Sequence, residues 1–122
     1  MTIARLLPLP VHAAFEVALA SIVIATPFWL GFEASALVVA VVIGMLTMGA
    51  GLAAAGQISG DGGQGGLRVS AHADVDLGLA LSSALAGLVF ATGGDVAAAG
   101  LFVATAAAQA LLAGTTRYSA RA

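Results

Sequence analysis

The chain has 122 residues and a formal net charge of −2, with 61% hydrophobic and only 8% charged residues. Soluble domains carry roughly a quarter of charged residues, whereas the mean hydropathy here is +1.08. This composition excludes an ordinary water-soluble domain and predicts an integral membrane protein. Four basic residues give no electrostatic basis for binding nucleic acid. The absence of cysteine excludes disulfides and thiolate metal sites.

Four apolar stretches follow one another, each close to the ~20 residues that cross ~30 Å of hydrocarbon. They cover approximately Pro10 to Phe32, Ala34 to Ile58, Ser70 to Thr92 and Val96 to Thr115. Tight turns containing glycine and an acidic residue separate the members of each pair, and a Gly-rich linker of about residues 59–67 joins the pairs. The sequence therefore predicts an all-α fold, a four-helix membrane bundle that forms a single transmembrane domain over residues 1–122.

The arginines predict the orientation in the membrane. All of them lie before, between or after the two helix pairs, at Arg5, Arg68, Arg117 and Arg121. After four crossings they share one side, and the opposite side has only Glu33 and Asp95, so the positive-inside rule predicts that both termini are cytoplasmic. Trp29 and Tyr118 lie where interfacial aromatic rings are expected. Abundant Ala, Gly and Val, with Arg and no Lys, is typical of a GC-rich bacterial genome. The expected location is the bacterial inner membrane.

An internal repeat appears when the sequence is shifted by sixty residues. His12 then aligns with His72 and Glu16 with Asp76, and histidine occurs nowhere else in the chain. Repeat 1 covers about residues 7–58 and repeat 2 about residues 68–116. Because two helices separate the copies, they enter the membrane in the same direction. The pattern predicts two parallel helix hairpins related by a pseudo-two-fold axis along the membrane normal.

The first half carries a recognisable signature. It reads Pro10-Val11-His12-Ala13-Ala14-Phe15-Glu16, followed by Thr26-Pro27-Phe28-Trp29-Leu30-Gly31-Phe32. This resembles the SPW repeat family of small bacterial membrane proteins, whose halves carry a phrase like Pro-x-His-x-x-x-Asp followed by Ser-Pro-Trp and Gly-Phe. Pro27, Trp29 and Gly31 are the signature residues here. Glu16 stands for the usual Asp, and the second half has Gly87-Leu88-Val89-Phe90 in place of Ser-Pro-Trp. The resemblance implies the fold rather than an activity, because the family looks like one without an established activity.

The two His-x-x-x-acid pairs are the candidate site. Residues four apart share a helix face, so His12 can meet Glu16 and His72 can meet Asp76. A carboxylate at the bilayer centre costs ~3 kcal/mol, so each acid is expected to be paired, protonated or turned into the bundle. If the first and third helices face each other across the pseudo-axis, all four groups converge. Gln109 lies at a depth similar to that of Asp76 and could add a hydrogen bond.

Three roles remain open for these residues. They can be structural, pinning the halves of a small accessory membrane protein together. They can form a proton or cation site of a small transporter, or the two imidazoles can hold a metal ion or a haem, although the spacing is not a diagnostic ligand motif. The sequence predicts no resident cofactor and no enzyme, since no nucleophile with a base stands at readable spacing. The predicted partners are the lipid bilayer and a membrane protein or second copy of the chain.

Overall fold

The protein, described here from a computed structural model over residues 6–58 and 69–116, consists of four long helices. Their bounds are α1 Leu9–Leu30, α2 Ala34–Ile58, α3 Val69–Thr92 and α4 Val96–Thr115. Each contains an apolar span of 20 to 23 residues, long enough to cross a membrane by length and composition. These observations confirm the predicted all-α, four-helix transmembrane fold, and the helix ends agree with the sequence prediction to within two residues.

The two hairpin turns are built by glycine and by a capping acid. Gly31 ends α1 with a φ of +68°, and the Phe32 amide donates to the Pro27 carbonyl at 2.9 Å, which satisfies a carbonyl at the helix end. In the second turn the Asp95 side chain accepts from the Ala98 amide at 3.0 Å and caps α4. Pro27 lies in the last turn of α1, which ends three residues later at Leu30.

The order of the helices around the bundle axis places α1 diagonally opposite α3. Helix α1 packs most extensively on α2, and α3 on α4. The two hairpins meet where α2 packs on α3 and, over a smaller area, where α1 packs on α4. Side chains that point inward from α1 and α3 can therefore meet only at the centre of the bundle.

We call the end with the two tight turns the turn end, and the opposite end, where α1 and α3 begin, the terminal end. Towards the turn end the core is apolar and built largely from small residues. Its buried members are Val23, Ala36, Ala40, Ile43, Ala98 and Phe102. The Phe90 and Phe102 rings stack with centroids 5.3 Å apart. Small alanines allow the backbones to approach closely, which is how helices associate in lipid.

Several sequence predictions lie outside the described residues. Tyr118, the Gly-rich linker of about residues 59–67 and all four arginines fall there: Arg5, Arg68, Arg117 and Arg121. The orientation of the protein in the membrane therefore remains a prediction from sequence. Trp29 is described, and its ring is 89% exposed at the end of α1, a place suited to a membrane interface.

Candidate functional site

The histidine and acidic side chains of both repeats meet in one buried cluster, which we call the His/acid cluster: His12, Glu16, His72 and Asp76. All four are at most 3% exposed. The spacing of four residues places each His and its acid on the same face of α1 or α3, and both faces turn toward the bundle axis. The predicted convergence of these four residues is therefore present in the structure.

The closest contacts in the cluster join different hairpins. His12 Nε2 lies 2.9 Å from Asp76 Oδ2, and His72 Nε2 lies 3.1 Å from Glu16 Oε2. The contacts within a helix are slightly longer, at 3.3 Å from His12 Nε2 to Glu16 Oε2 and 3.4 Å from His72 Nε2 to Asp76 Oδ1. Each imidazole is thus shared between its own helix and the opposite one, and the cluster connects α1 to α3 across the axis.

The cluster also places four potential metal ligands together. One ligand atom from each of the four residues can be chosen so that all lie within 4.8 Å of one another. The two imidazole rings approach edge to face, with centroids 5.5 Å apart and planes inclined by 73°. Both Nε2 atoms point to the same small space as the carboxylates. A porphyrin ring is wider than this space, so the arrangement suits a single ion better than a haem.

Thr116 holds His12 in position from the end of α4. Its hydroxyl donates to the Leu112 carbonyl at 2.5 Å and lies 2.6 Å from His12 Nδ1. A hydroxyl has one proton, and a carbonyl can only accept, so the threonine proton goes to Leu112 and the His12 Nδ1–H donates to Thr116. In a neutral His12 the Nε2 lone pair therefore points at the two carboxylates.

Backbone contacts fix Thr116 against the start of the first repeat. The Leu7 amide donates to the Thr115 carbonyl at 2.9 Å, and Leu7 and Thr116 form an isolated parallel bridge. The beginning of repeat 1 and the end of repeat 2 are thereby joined beside His12. No sequence pattern pointed to Thr116, because the residue follows the last apolar stretch and belongs to no repeated motif.

Gln109 lies beside the His/acid cluster in a second polar layer. It lines the same small space as His12, Glu16 and Asp76. The Ser83 hydroxyl donates to Gln109 Oε1 at 3.0 Å, and Gln109 Nε2 donates to Thr47 Oγ1 at 3.0 Å. The predicted depth of Gln109 near Asp76 agrees with this placement, and its amide hydrogen-bonds across the axis to α2 as well as to α3.

Gly51 on α2 has no side chain and so lets α2 pack closely against α1 beside Glu16. Gly51 on α2 is buried, and a Cβ added there would lie 3.1 Å from Glu16 Cβ and 3.3 Å from the Ala13 carbonyl oxygen. Both distances are tighter than ordinary van der Waals contact, so a Cβ at this position would require the neighbouring atoms of α1 to shift by a few tenths of an ångström. Gly51 is thus a second residue on which the cluster depends and for which the repeat pattern gave no signal.

The signature residues of the first half lie away from the cluster. Pro27 is buried near the turn end of α1, Gly31 forms the C-cap there, and Trp29 is exposed. The structure therefore gives them parts in the turn and at the surface, and it does not bring them to the His/acid cluster, which lies near the opposite end of the same helix.

The charge of the cluster needs compensation inside the bundle. Two carboxylates carry two negative charges, and residues 6–58 and 69–116 contain neither Lys nor Arg. Burial of uncompensated charge is expensive in a low-dielectric interior. The cluster is neutral when its four groups together hold two added protons, as when both imidazoles are protonated, or when one divalent cation binds between neutral imidazoles and the two carboxylates.

Comparison of the chain with family models, with curated proteins and with solved structures finds no match. The likeness to the SPW repeat family stays a prediction based on the first-half signature and the two His-x-x-x-acid pairs. The four apolar helices and the buried cluster are accordingly the observations from which the function is argued.

Proposed function

We propose that this chain is a small accessory protein of the bacterial inner membrane, without catalytic activity of its own, in which the His/acid cluster fastens two helix hairpins into one unit. We further propose that it belongs to the SPW repeat family, with both termini in the cytoplasm. A multi-pass protein of this kind presents its outer surface to lipid and to neighbouring membrane proteins.

The observation that carries the proposal is the cross-hairpin pairing of the buried groups. Lipid gives little hydrophobic drive for helix association, so helices in a membrane rely on packing and on polar contacts. Here the two shortest contacts, His12 to Asp76 and His72 to Glu16, both join one hairpin to the other. The rest of the hairpin interface is less extensive than the contact within each hairpin. Fastening the halves is therefore the role that this geometry supports best.

Transport is the alternative that the sequence leaves open. A path across the membrane would have to continue from the cluster to the turn end. Apolar side chains fill that part of the axis, among them Val23, Ile43 and Phe102, each no more than 6% exposed. This packing favours the fastening role over a transport path.

Cutting the chain between the hairpins tests the proposal. A protease site placed in the Gly-rich linker, about residues 59–67, allows the purified protein to be cleaved after folding in a mild detergent. We expect the cleaved wild-type halves to co-elute in size-exclusion chromatography. The halves of a Glu16→Ala variant should separate, because His72 loses its acidic partner on the other hairpin.

Glu33→Ala is the matched control, since Glu33 is exposed in the first hairpin turn. Its cleaved halves should stay together like those of the wild type. Halves of Glu16→Ala that co-elute as firmly as the wild-type halves, over a range of detergent concentrations, would contradict the fastening role. Wild-type halves that separate at once on cleavage would contradict it as well.

A further inference from the structure

We propose that the His/acid cluster binds one divalent first-row transition-metal ion of the Zn²⁺, Fe²⁺ or Mn²⁺ class, held by His12, Glu16, His72 and Asp76. The inference rests on the proposed function in one respect, because the ion would be the means by which the cluster fastens the hairpins. It adds a metal site in the membrane interior, with two ligands from each repeat.

The spacing of the ligand atoms fits a single metal ion. Zinc bound tetrahedrally at about 2.0–2.1 Å separates neighbouring ligand atoms by about 3.3 Å. The four contacts between imidazole Nε2 and carboxylate oxygen atoms are 2.9, 3.1, 3.3 and 3.4 Å. One ligand atom from each residue can be chosen so that all four lie within 4.8 Å of one another. An ion at the centre would therefore draw the more distant ligand atoms together by up to about 1.5 Å, which side-chain rotation can supply.

The chemistry of the ligands selects the class of ion. Two imidazole nitrogens and two carboxylate oxygens suit Zn²⁺, Fe²⁺ and Mn²⁺, whereas soft ions such as Cu⁺ prefer thiolates or thioethers. The chain has no cysteine. Ca²⁺ and Mg²⁺ prefer oxygen ligands alone. A first-row divalent ion is thus the best match to this set.

The surroundings of His12 are those of a metal ligand. A ligating histidine donates its other ring N–H to an acceptor, which fixes the tautomer and the direction of the ring. His12 Nδ1 lies 2.6 Å from the Thr116 hydroxyl, whose own proton goes to the Leu112 carbonyl. The Nε2 lone pair of neutral His12 is thereby directed at the centre of the cluster.

The charge of the cluster is compatible with a bound divalent ion. A divalent cation neutralises the Glu16 and Asp76 carboxylates while both imidazoles stay neutral. All four residues are buried, so an ion bound there would be shielded from water and from competing ligands. The alternative, two protons on the imidazoles, gives the same total charge and is the state against which the experiment must discriminate.

The test is metal titration of the whole protein, purified with a tag that contains no histidine and freed of metal with a chelator. Zn²⁺, Mn²⁺ and, under anaerobic conditions, Fe²⁺ are each added, and bound metal is measured by inductively coupled plasma mass spectrometry after gel filtration. Co²⁺ serves as a spectroscopic probe, because its visible absorption reports the coordination geometry. We expect one ion per chain and a Co²⁺ spectrum of nitrogen and oxygen ligands in a low-symmetry, four-coordinate site.

Variants locate the ion. His72→Ala and Asp76→Asn should each lower the affinity at least 100-fold, whereas Asp74→Asn should leave it unchanged, because Asp74 is exposed on the same helix. Thr116→Val should lower the affinity about 10- to 100-fold, the usual effect of losing such a hydrogen bond. Thr116→Ser keeps the hydroxyl and should therefore bind metal with the affinity of the wild type. This result would show that the Thr116 hydroxyl positions His12 and that the loss in Thr116→Val is not an effect of packing.

Several results would overturn the metal site. One is the absence of bound Zn²⁺, Fe²⁺ and Mn²⁺ at micromolar concentration, together with a wild-type melting temperature that neither chelator nor metal changes. Another is full binding by the His72→Ala protein. The melting temperature of the wild type keeps the test decisive even if a ligand variant fails to fold, because the prediction is a fall with chelator and recovery with metal.

The metal site and the fastening role can fail separately. If no ion binds but cleaved Glu16→Ala halves still separate, the cluster fastens the hairpins through protonated imidazoles and the metal inference is wrong. If an ion binds but the cleaved Glu16→Ala halves stay together, the metal site stands and the fastening role falls.

Discussion

From the turn end to Ile43 the axis of the bundle is lined mainly by small and apolar side chains, whereas from Thr47 to the terminal end buried polar side chains lie among buried alanines and Leu79. The apolar part depends on close approach of backbones and on one stacked aromatic pair. The polar part depends on hydrogen bonds and on His/acid contacts, the closest of which join different helices. One bundle thus combines the two means by which helices associate in lipid: close van der Waals packing in one half and polar contacts between helices in the other.

The two halves should respond differently to substitution. In the apolar half, removing atoms leaves a cavity, and its cost scales with the volume lost. In the polar half, removing one partner leaves another buried group without compensation, and that cost is larger than the worth of the contact itself. Four pairs of variants measure this difference. Each pair consists of a buried residue and an exposed control residue of the same type.

The largest effect is expected for Asp76→Ala. His12 and His72 both lose a carboxylate contact, at 2.9 and 3.4 Å. Glu16, which contacts the two imidazoles at 3.3 and 3.1 Å, is then the one carboxylate left in the cluster. Breaking a buried ion pair typically costs about 3–5 kcal/mol. The free energy of unfolding, measured by steric trapping in bicelles, should fall by about that amount. Asp74→Ala should change the free energy of unfolding by less than about 0.5 kcal/mol. If Asp74→Ala lost as much stability as Asp76→Ala, the buried carboxylate would not be what stabilises the polar half.

Phe102→Ala tests the apolar half. Phe102 is fully buried and stacks on Phe90. The cavity left behind, on the order of 100 Å³, should cost about 2 kcal/mol at ~24 cal/mol per Å³. Little transfer term adds to this cost, because in a bilayer the side chain stays in hydrocarbon when the helices separate. Phe28→Ala is the control, because its ring is 63% exposed and faces lipid. Unfolding followed by circular dichroism should show a clear loss for Phe102→Ala alone; equal losses would mean that the core does not depend on that ring.

Gly87→Ala asks how tightly α3 and α4 are packed. A Cβ at Gly87 would lie 2.8 Å from Val103 Cγ2 and 3.3 Å from the Val103 amide nitrogen. Overpacking of this kind costs about 1–3 kcal/mol, part of which the better helix propensity of alanine offsets. A net loss of about 1 kcal/mol is expected. Gly100→Ala should be neutral or slightly stabilising in the same thermal assay, since nothing lies within 4 Å of that Cβ.

Ser83→Ala should have the smallest effect of the four. It removes the hydrogen bond to Gln109 Oε1, and single hydrogen bonds between membrane helices average about 0.6 kcal/mol. Ser82→Ala is the control, because Ser82 is exposed next to it in sequence. A loss for Ser83→Ala as large as that for Asp76→Ala would mean that the second polar layer stabilises the polar half as much as the His/acid cluster does.

The sequence predicted the fold well because its signals are local. Four apolar stretches and the glycine-containing turns are each read from neighbouring residues, and the helix ends follow from them. The convergence of His12, Glu16, His72 and Asp76 was also predictable, because the sixty-residue repeat placed equivalent residues on helices related by a pseudo-axis. Bilayer physics then required those polar groups to face inward.

The detailed pairing was not predictable from the sequence. Spacing of four residues indicates the neighbour on the same helix, yet the shorter contacts join His12 to Asp76 and His72 to Glu16. Which carboxylate lies closer depends on the rotation of each helix and on side-chain rotamers, and neither is encoded in a local pattern. Thr116 escaped notice for a similar reason, because it reaches His12 only through the contact between α1 and α4.

The most direct test of the account is a double-mutant cycle between Glu16 and His72, which are far apart in sequence and 3.1 Å apart in space. The free energies of unfolding of wild type, Glu16→Ala, His72→Ala and the double variant are measured in bicelles, with Glu33 in place of Glu16 as the control cycle. The account predicts a coupling energy of about 1–3 kcal/mol for Glu16 with His72 and additivity for Glu33 with His72. Additivity within about 0.5 kcal/mol in both cycles would contradict a cluster shared by the two hairpins.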